Sequence, residues 1–199
     1  MKIFKENSYD IVRLYVNQLG IMIFSMLLYT AVGAFENESL SSALSIFVSV
    51  FSTCFYLVLV YYAVWEIGAK DKIRIEGGRM EPFKNKGLVM SIFANVPNFA
   101  LGLLSVIFLS IFLATNNDGI YAAFLIFNTI MRFHASMYLG FITAIVPSGI
   151  STGSIDYFEF LIEAIIFTAI PFISIAVTHL AYYLGSREKK LFSILTNKK

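Results

Sequence analysis

Residues 120–150 read IYAAFLIFNTIMRFHASMYLGFITAIVPSGI, an apolar stretch interrupted by Arg132 and His134, with Tyr138 just beyond. The topology of the chain depends on whether this stretch crosses a bilayer once or enters and returns. As one long helix it makes five spans in all, and an odd count puts the two termini on opposite sides. The cations point the other way. Lys2, Lys5 and Arg13 lie at the start, Lys70, Lys72, Arg74, Arg79, Lys84 and Lys86 fall within residues 66–86, and Arg187, Lys189, Lys190, Lys198 and Lys199 form the tail. Segments rich in Lys and Arg stay in the cytoplasm, so all three belong there. The connections around Glu36, around Asn117 and over residues 147–159 hold no Lys or Arg and are expected outside. Both ends of 120–150 then face outward, which predicts a hairpin of two short or re-entrant helices with Arg132 at its deepest point. Each arm is shorter than the ~20 residues of a full helical span, and irregular backbone at that depth survives only against protein or water. A charge left at mid-bilayer costs from about 3 to more than 10 kcal/mol, which falls if its head reaches an interface or a wet cavity. The five-span rod remains the alternative.

The rest of the chain makes the membrane reading firm. Of 199 residues, 58% are hydrophobic and 14% charged, with mean hydropathy +0.75, against roughly 45–50% and about 25% in a soluble domain. Apolar residues come in blocks long enough to cross a bilayer: 18–35, 40–65, 87–115 and 160–185. Block 40–65 closes with Tyr61, Tyr62 and Trp65, rings that favour the membrane–water boundary. Pro97 removes a backbone donor from the third block and predicts a kink there, and the last block contains Pro171. The polar groups 36–39 and 116–119 read as turns. The first apolar run, preceded by cations, is too long for a signal peptide and lacks a small-residue cleavage pattern. The expected fold is therefore all-α: a polytopic transmembrane helical bundle of four full spans plus the hairpin, forming one integral membrane domain over residues 1–199. Residues 66–86 form a cytoplasmic basic loop, and 120–150 the short-helix hairpin. A net charge of +2 with clustered cations predicts no nucleic-acid partner. The lone cysteine, Cys54, excludes an intramolecular disulfide.

Small side chains mark where helices approach. Ser41, Ser45, Ser49 and Thr53 recur every fourth residue and make one strip on a helix, the kind of surface that lets backbones pack closely in lipid. Gly140, Ala144 and Ser148 make a shorter strip on the second arm. These seams face a helix of the same chain or of a second protomer.

Chemistry-bearing patterns are sparse. The chain has no His-Glu-x-x-His, paired Cys-x-x-Cys, Gly-x-Ser-x-Gly or phosphate-binding glycine loop. Gly77-Gly78 fits a short hairpin turn instead. Two histidines, His134 and His179, are too few for a histidine-rich metal site, and Cys54 has no base beside it. We therefore expect no enzyme, cofactor or metal. Under the hairpin topology, Asn17, Gln18, Asn95, Asn98, Arg132, His134 and His179 all fall in the cytoplasmic half of the bundle. Asn95, Asn98, Arg132, His134 and His179 then outline a candidate polar vestibule, with Pro97 freeing backbone carbonyls toward it. The plainer reading is that the amides bond across helices while Arg132 and His134 snorkel to headgroups. Glu159 and Glu163, one turn apart, read as a solvated helix start with Asp156 at its N-terminus, or as a pair of carboxylates that binds a cation.

The runs WEIGAKDKIR (65–74), GRME (78–81), KGL (86–88) and ANVPNF (94–99), with YYLG (182–185) before the basic tail, resemble uncharacterised small polytopic membrane proteins of Gram-positive bacteria. The resemblance implies a bacterial plasma membrane and no catalytic site. The function expected is an accessory or structural subunit of a membrane assembly, partnered by the lipid bilayer and by another protein or a second copy of the chain. The alternative is a small transporter or permease component using the cytoplasmic-side vestibule, and an intramembrane hydrolase ranks last for want of a nucleophile–base pair. Localisation is expected to be the cell membrane, multi-pass, with both termini cytoplasmic.

Overall fold

A computed structural model describes residues 2–35, 37–146 and 157–189, all helix and turn. Glu36, Ser148, Asp156, Lys190, Lys198 and Lys199 lie outside the described residues, as does most of connection 147–159. The helices are α1 (Lys2–Val32), α2 (Glu38–Glu76), α3 (Lys86–Ala94), α4 (Val96–Thr115), α5 (Asp118–His134), α6 (Leu139–Ile145), α7 (Tyr157–Ala169) and α8 (Pro171–Gly185), with a 3-10 turn at Ser136–Tyr138. Among the described residues, four helical segments are long and apolar enough to cross a membrane: Asn7–Val32, Ser39–Glu76, Val96–Thr115 and Tyr157–Gly185.

Local chemistry accounts for the breaks. Pro97 lacks the N–H that would reach Phe93, and its ring would strike that carbonyl, so the helix steps at Asn95 between α3 and α4. Pro171 does the same at Ile170 and then opens α8, where a missing donor is harmless. Between α4 and α5 the chain reverses in two residues. Asn116 takes a left-handed φ of 50°, and the Asn117 side chain accepts from the amides of Gly119 and Ile120, capping α5. Block 40–65 does not stop at Trp65: α2 carries on through the charged residues to Glu76. Its end is set by Gly78 at φ 69°, whose amide bonds Ile75 while Arg79 bonds Arg74. That is a Schellman cap, so Gly77-Gly78 ends a helix rather than turning a β-hairpin.

Over its described part, residues 120–146, the stretch 120–150 is not a rod. α5 ends at His134, the 3-10 turn follows at Ser136, and α6 adds only seven residues. From the turn the chain moves toward the α1–α2 connection. Ser136 bonds the Met22 carbonyl and Thr53 the Met137 carbonyl, whereas Gly140, four residues on from Ser136, bonds Tyr29 and Ser49.

The chain divides into two compact units, each with its own packing. The first comprises residues 1–17, 56–95 and 172–199. Here the buried Asp71 carboxylate accepts from Lys86 Nζ at 2.7 Å and from the Tyr182 hydroxyl at 3.1 Å, joining α2, α3 and α8. Asn95 bonds the Ser91 carbonyl and Ser174, and the Trp65 indole N–H donates to the Lys189 carbonyl.

The second unit comprises residues 18–55 and 96–171. Its core is aromatic, with Leu109 and Phe112 of α4 meeting Phe124 of α5 and Phe160 of α7. Phe112 lies 4.7 Å from Tyr121 and Phe108 5.2 Å from Phe127, the register of antiparallel α4 and α5. On the exposed side of α2, Phe47, Phe51 and Phe55 stack at four-residue spacing.

Only 22–39% of the most apolar window in each spanning segment is buried inside the protein. The remaining apolar surface far exceeds the patches a soluble monomer exposes, and in a bilayer it is the lipid face.

Candidate functional site

The most unusual chemistry in the second unit is an ion pair between α5 and α7, the latter opening the spanning segment Tyr157–Gly185. Arg132, in the last turn of α5, donates through Nη2 to Glu163 Oε2 of α7 at 2.5 Å. Glu163 is buried, its side chain 5% exposed, while Arg132 retains 31%. Helical side chains lean toward the N-terminus, and the guanidinium reaches along α5 to lie 5.8 Å from the Phe160 ring centroid. A carboxylate beside it removes most of the cost of an intramembrane cation. Three buried polar atoms around the pair have no hydrogen-bond partner: Glu163 Oε1, Arg132 Nε and Asn128 Oδ1. Asn128 lies one helical turn before Arg132, hence on the same side of α5.

Glu163 is therefore not part of a solvated helix start. The sequence signal was available: it is a lone carboxylate three residues inside the apolar block 160–185, in a chain whose 120–150 stretch holds one unmatched arginine. Neither the Asp71–Lys86–Tyr182 node nor the Tyr29–Ser49–Gly140 contact was expected, because the residues of each meet across long sequence separations.

The five vestibule candidates are divided between the two units. Asn95 and His179 belong to the first unit, and Asn98, Arg132 and His134 to the second. Asn95 is buried against Ser91 and Ser174. His179 lies in α8, with Nδ1 buried and unpartnered. Asn98 is buried in α4, and His134 is buried at the end of α5. Arg132 and His134 are two residues apart, which turns them to different sides of the helix. Arg132 bonds Glu163, which is not one of the five.

The small-residue strip of α2 meets α1 and α6. Ser49 Oγ bonds the Tyr29 hydroxyl and accepts the Gly140 amide at 2.7 Å, and Thr53 donates to Met137. A Cβ on Gly140 would run into the Ser45 carbonyl, so this close approach requires glycine. Ser41 and Ser45, with Thr143 and Ala144, line a shallow cavity of about 360 Å³ beside it. Cys54 is exposed, and among the described residues no three metal-ligating side chains come together.

Long apolar helices with internally paired polar groups and lipid-facing exteriors define a polytopic integral membrane protein. No known family, curated protein or solved structure matches the chain.

Proposed function

We propose that this protein is an accessory or structural subunit of a membrane assembly, lying in a bacterial plasma membrane with both termini in the cytoplasm. The observation that supports a structural role is the neutralisation of Arg132 by Glu163 of the same chain. The charge best suited to attract a cargo is engaged in holding α5 to α7, as Asn95 is in joining α3 to α8 through Ser174. The orientation rests on the distribution of Lys and Arg. It is tested by single-cysteine labelling in intact cells, with Ser151→Cys in a Cys54→Ser background. Labelling from outside is expected, and labelling only after lysis would refute it. The subunit role is tested by extraction in mild detergent, where a partner should co-elute in fixed proportion.

A second reading, a small transporter, is favoured by the unpartnered polar atoms of Glu163, Arg132 and Asn128. Solute flux in proteoliposomes, lost on Asn128→Ala with protein level unchanged, would replace the first reading.

A further inference from the structure

In the first unit α1 and α2 leave a cleft of about 480 Å³ lined by Arg13, Asn17, Leu59, Tyr62, Trp65 and Glu66. That volume is in the range that receives a small-molecule-sized group. One face is chemically divided. Arg13 and Asn17, one turn apart on α1, supply N–H donors at one end, and Leu59 gives an apolar wall at the other. Tyr62, 58% exposed, and Trp65 place the cleft at the depth where amphipathic rings meet headgroups.

Its charge is the second observation. Glu66 is held by Lys70 at 2.7 Å, while Arg13 comes only within 3.7 Å of the other carboxylate oxygen. Arg13 is thus the weaker of the two partners of Glu66, and most of its five guanidinium donors stay open to another acceptor. Arg13 and Lys70 against Glu66 leave one net positive charge. We propose that the cleft binds an anionic glycerophospholipid, its phosphodiester on Arg13 and Asn17 and an acyl chain along Leu59. One uncompensated cation meets one phosphodiester anion. Basic pockets between transmembrane helices receive anionic headgroups on these grounds.

The single tryptophan makes the site directly readable. The full chain is reconstituted in brominated phosphatidylcholine, which quenches Trp65, and unbrominated lipid is titrated in. Phosphatidylglycerol should restore emission at roughly fivefold lower mole fraction than phosphatidylcholine, the effect of one well-placed cation. Arg13→Gln should abolish that preference, and Asn17→Ala, which keeps every charge, should weaken it. Lys84→Gln, an exposed cation outside the cleft, should leave it intact. The proposal is overturned if wild type shows no preference or if Lys84→Gln loses it equally, which would indicate general surface attraction. It is also overturned if soluble glycerol phosphate or inorganic phosphate restores emission alone, which would indicate a free-anion site. Should Arg13→Gln fail to fold, an unchanged preference in Asn17→Ala would refute the assigned contacts.

Discussion

Asp71→Asn should be the most damaging single conservative change in the first unit. It removes the counter-charge of Lys86, whose side chain is 4% exposed and lies 2.7 Å from the carboxylate. Removing one partner of a buried pair costs about 3–5 kcal/mol, because the other charge stays in a low-dielectric site. Burial this complete leaves little solvent to screen the loss, so the upper part of that range applies. Lys86→Met is milder, at about 3 kcal/mol or less, since the carboxylate keeps the Tyr182 hydroxyl at 3.1 Å and Arg74 at 3.6 Å. The double variant strands no charge and should lie about 1–2 kcal/mol below wild type, the scale of a weakened hydrogen bond to Tyr182. The two sites should therefore couple by about 5 kcal/mol, above the usual 0.5–3 kcal/mol of contacting residues because each single change strands a buried charge. Trp65 emission during thermal unfolding in detergent reports this unit, because its indole is tied to Lys189. For a chain of this size Asp71→Asn should lower the midpoint by roughly 8–20 °C. The reasoning fails if Asp71→Asn lies within 1 kcal/mol of wild type, if Lys86→Met proves the worse variant, or if the two effects simply add.

In the second unit, Glu163→Gln should destabilise by about 2 kcal/mol, less than a fully buried pair because Arg132 is partly exposed. Adding Arg132→Gln should recover most of that loss in the same unfolding assay. Gly140→Val should cost about 1–3 kcal/mol by forcing α6 from α2. Gly20→Ala has open space around the new methyl group and should stabilise α1 by up to about 1 kcal/mol. Denaturant midpoints of the two variants would separate crowding from helix propensity. Asn117→Ala should remove about 1 kcal/mol by uncapping α5, seen as faster hydrogen exchange in residues 118–121 than elsewhere in the helix.

What the sequence determined by itself is the local and the apolar. Four spanning segments follow from block length, the step at Asn95 from Pro97, and the α4–α5 reversal from Asn116-Asn117, since these depend on backbone sterics and transfer free energy within a few residues. The break between α5 and α6 was also legible, through a charge that a continuous lipid-exposed rod could not hold. The extension of α2 to Glu76 was not, because hydropathy falls at Trp65 while helix geometry persists until Gly78 permits a cap. Only the tertiary structure decided which polar groups are partners. Glu163 finds Arg132 across 31 residues and Tyr182 finds Asp71 across 111, and spacing along a chain carries no information about contacts made by separate helices. Burial then converts such groups from ordinary surface charges into the ties between helices, because in a low-dielectric site an ion stays only where its counter-ion has been brought beside it.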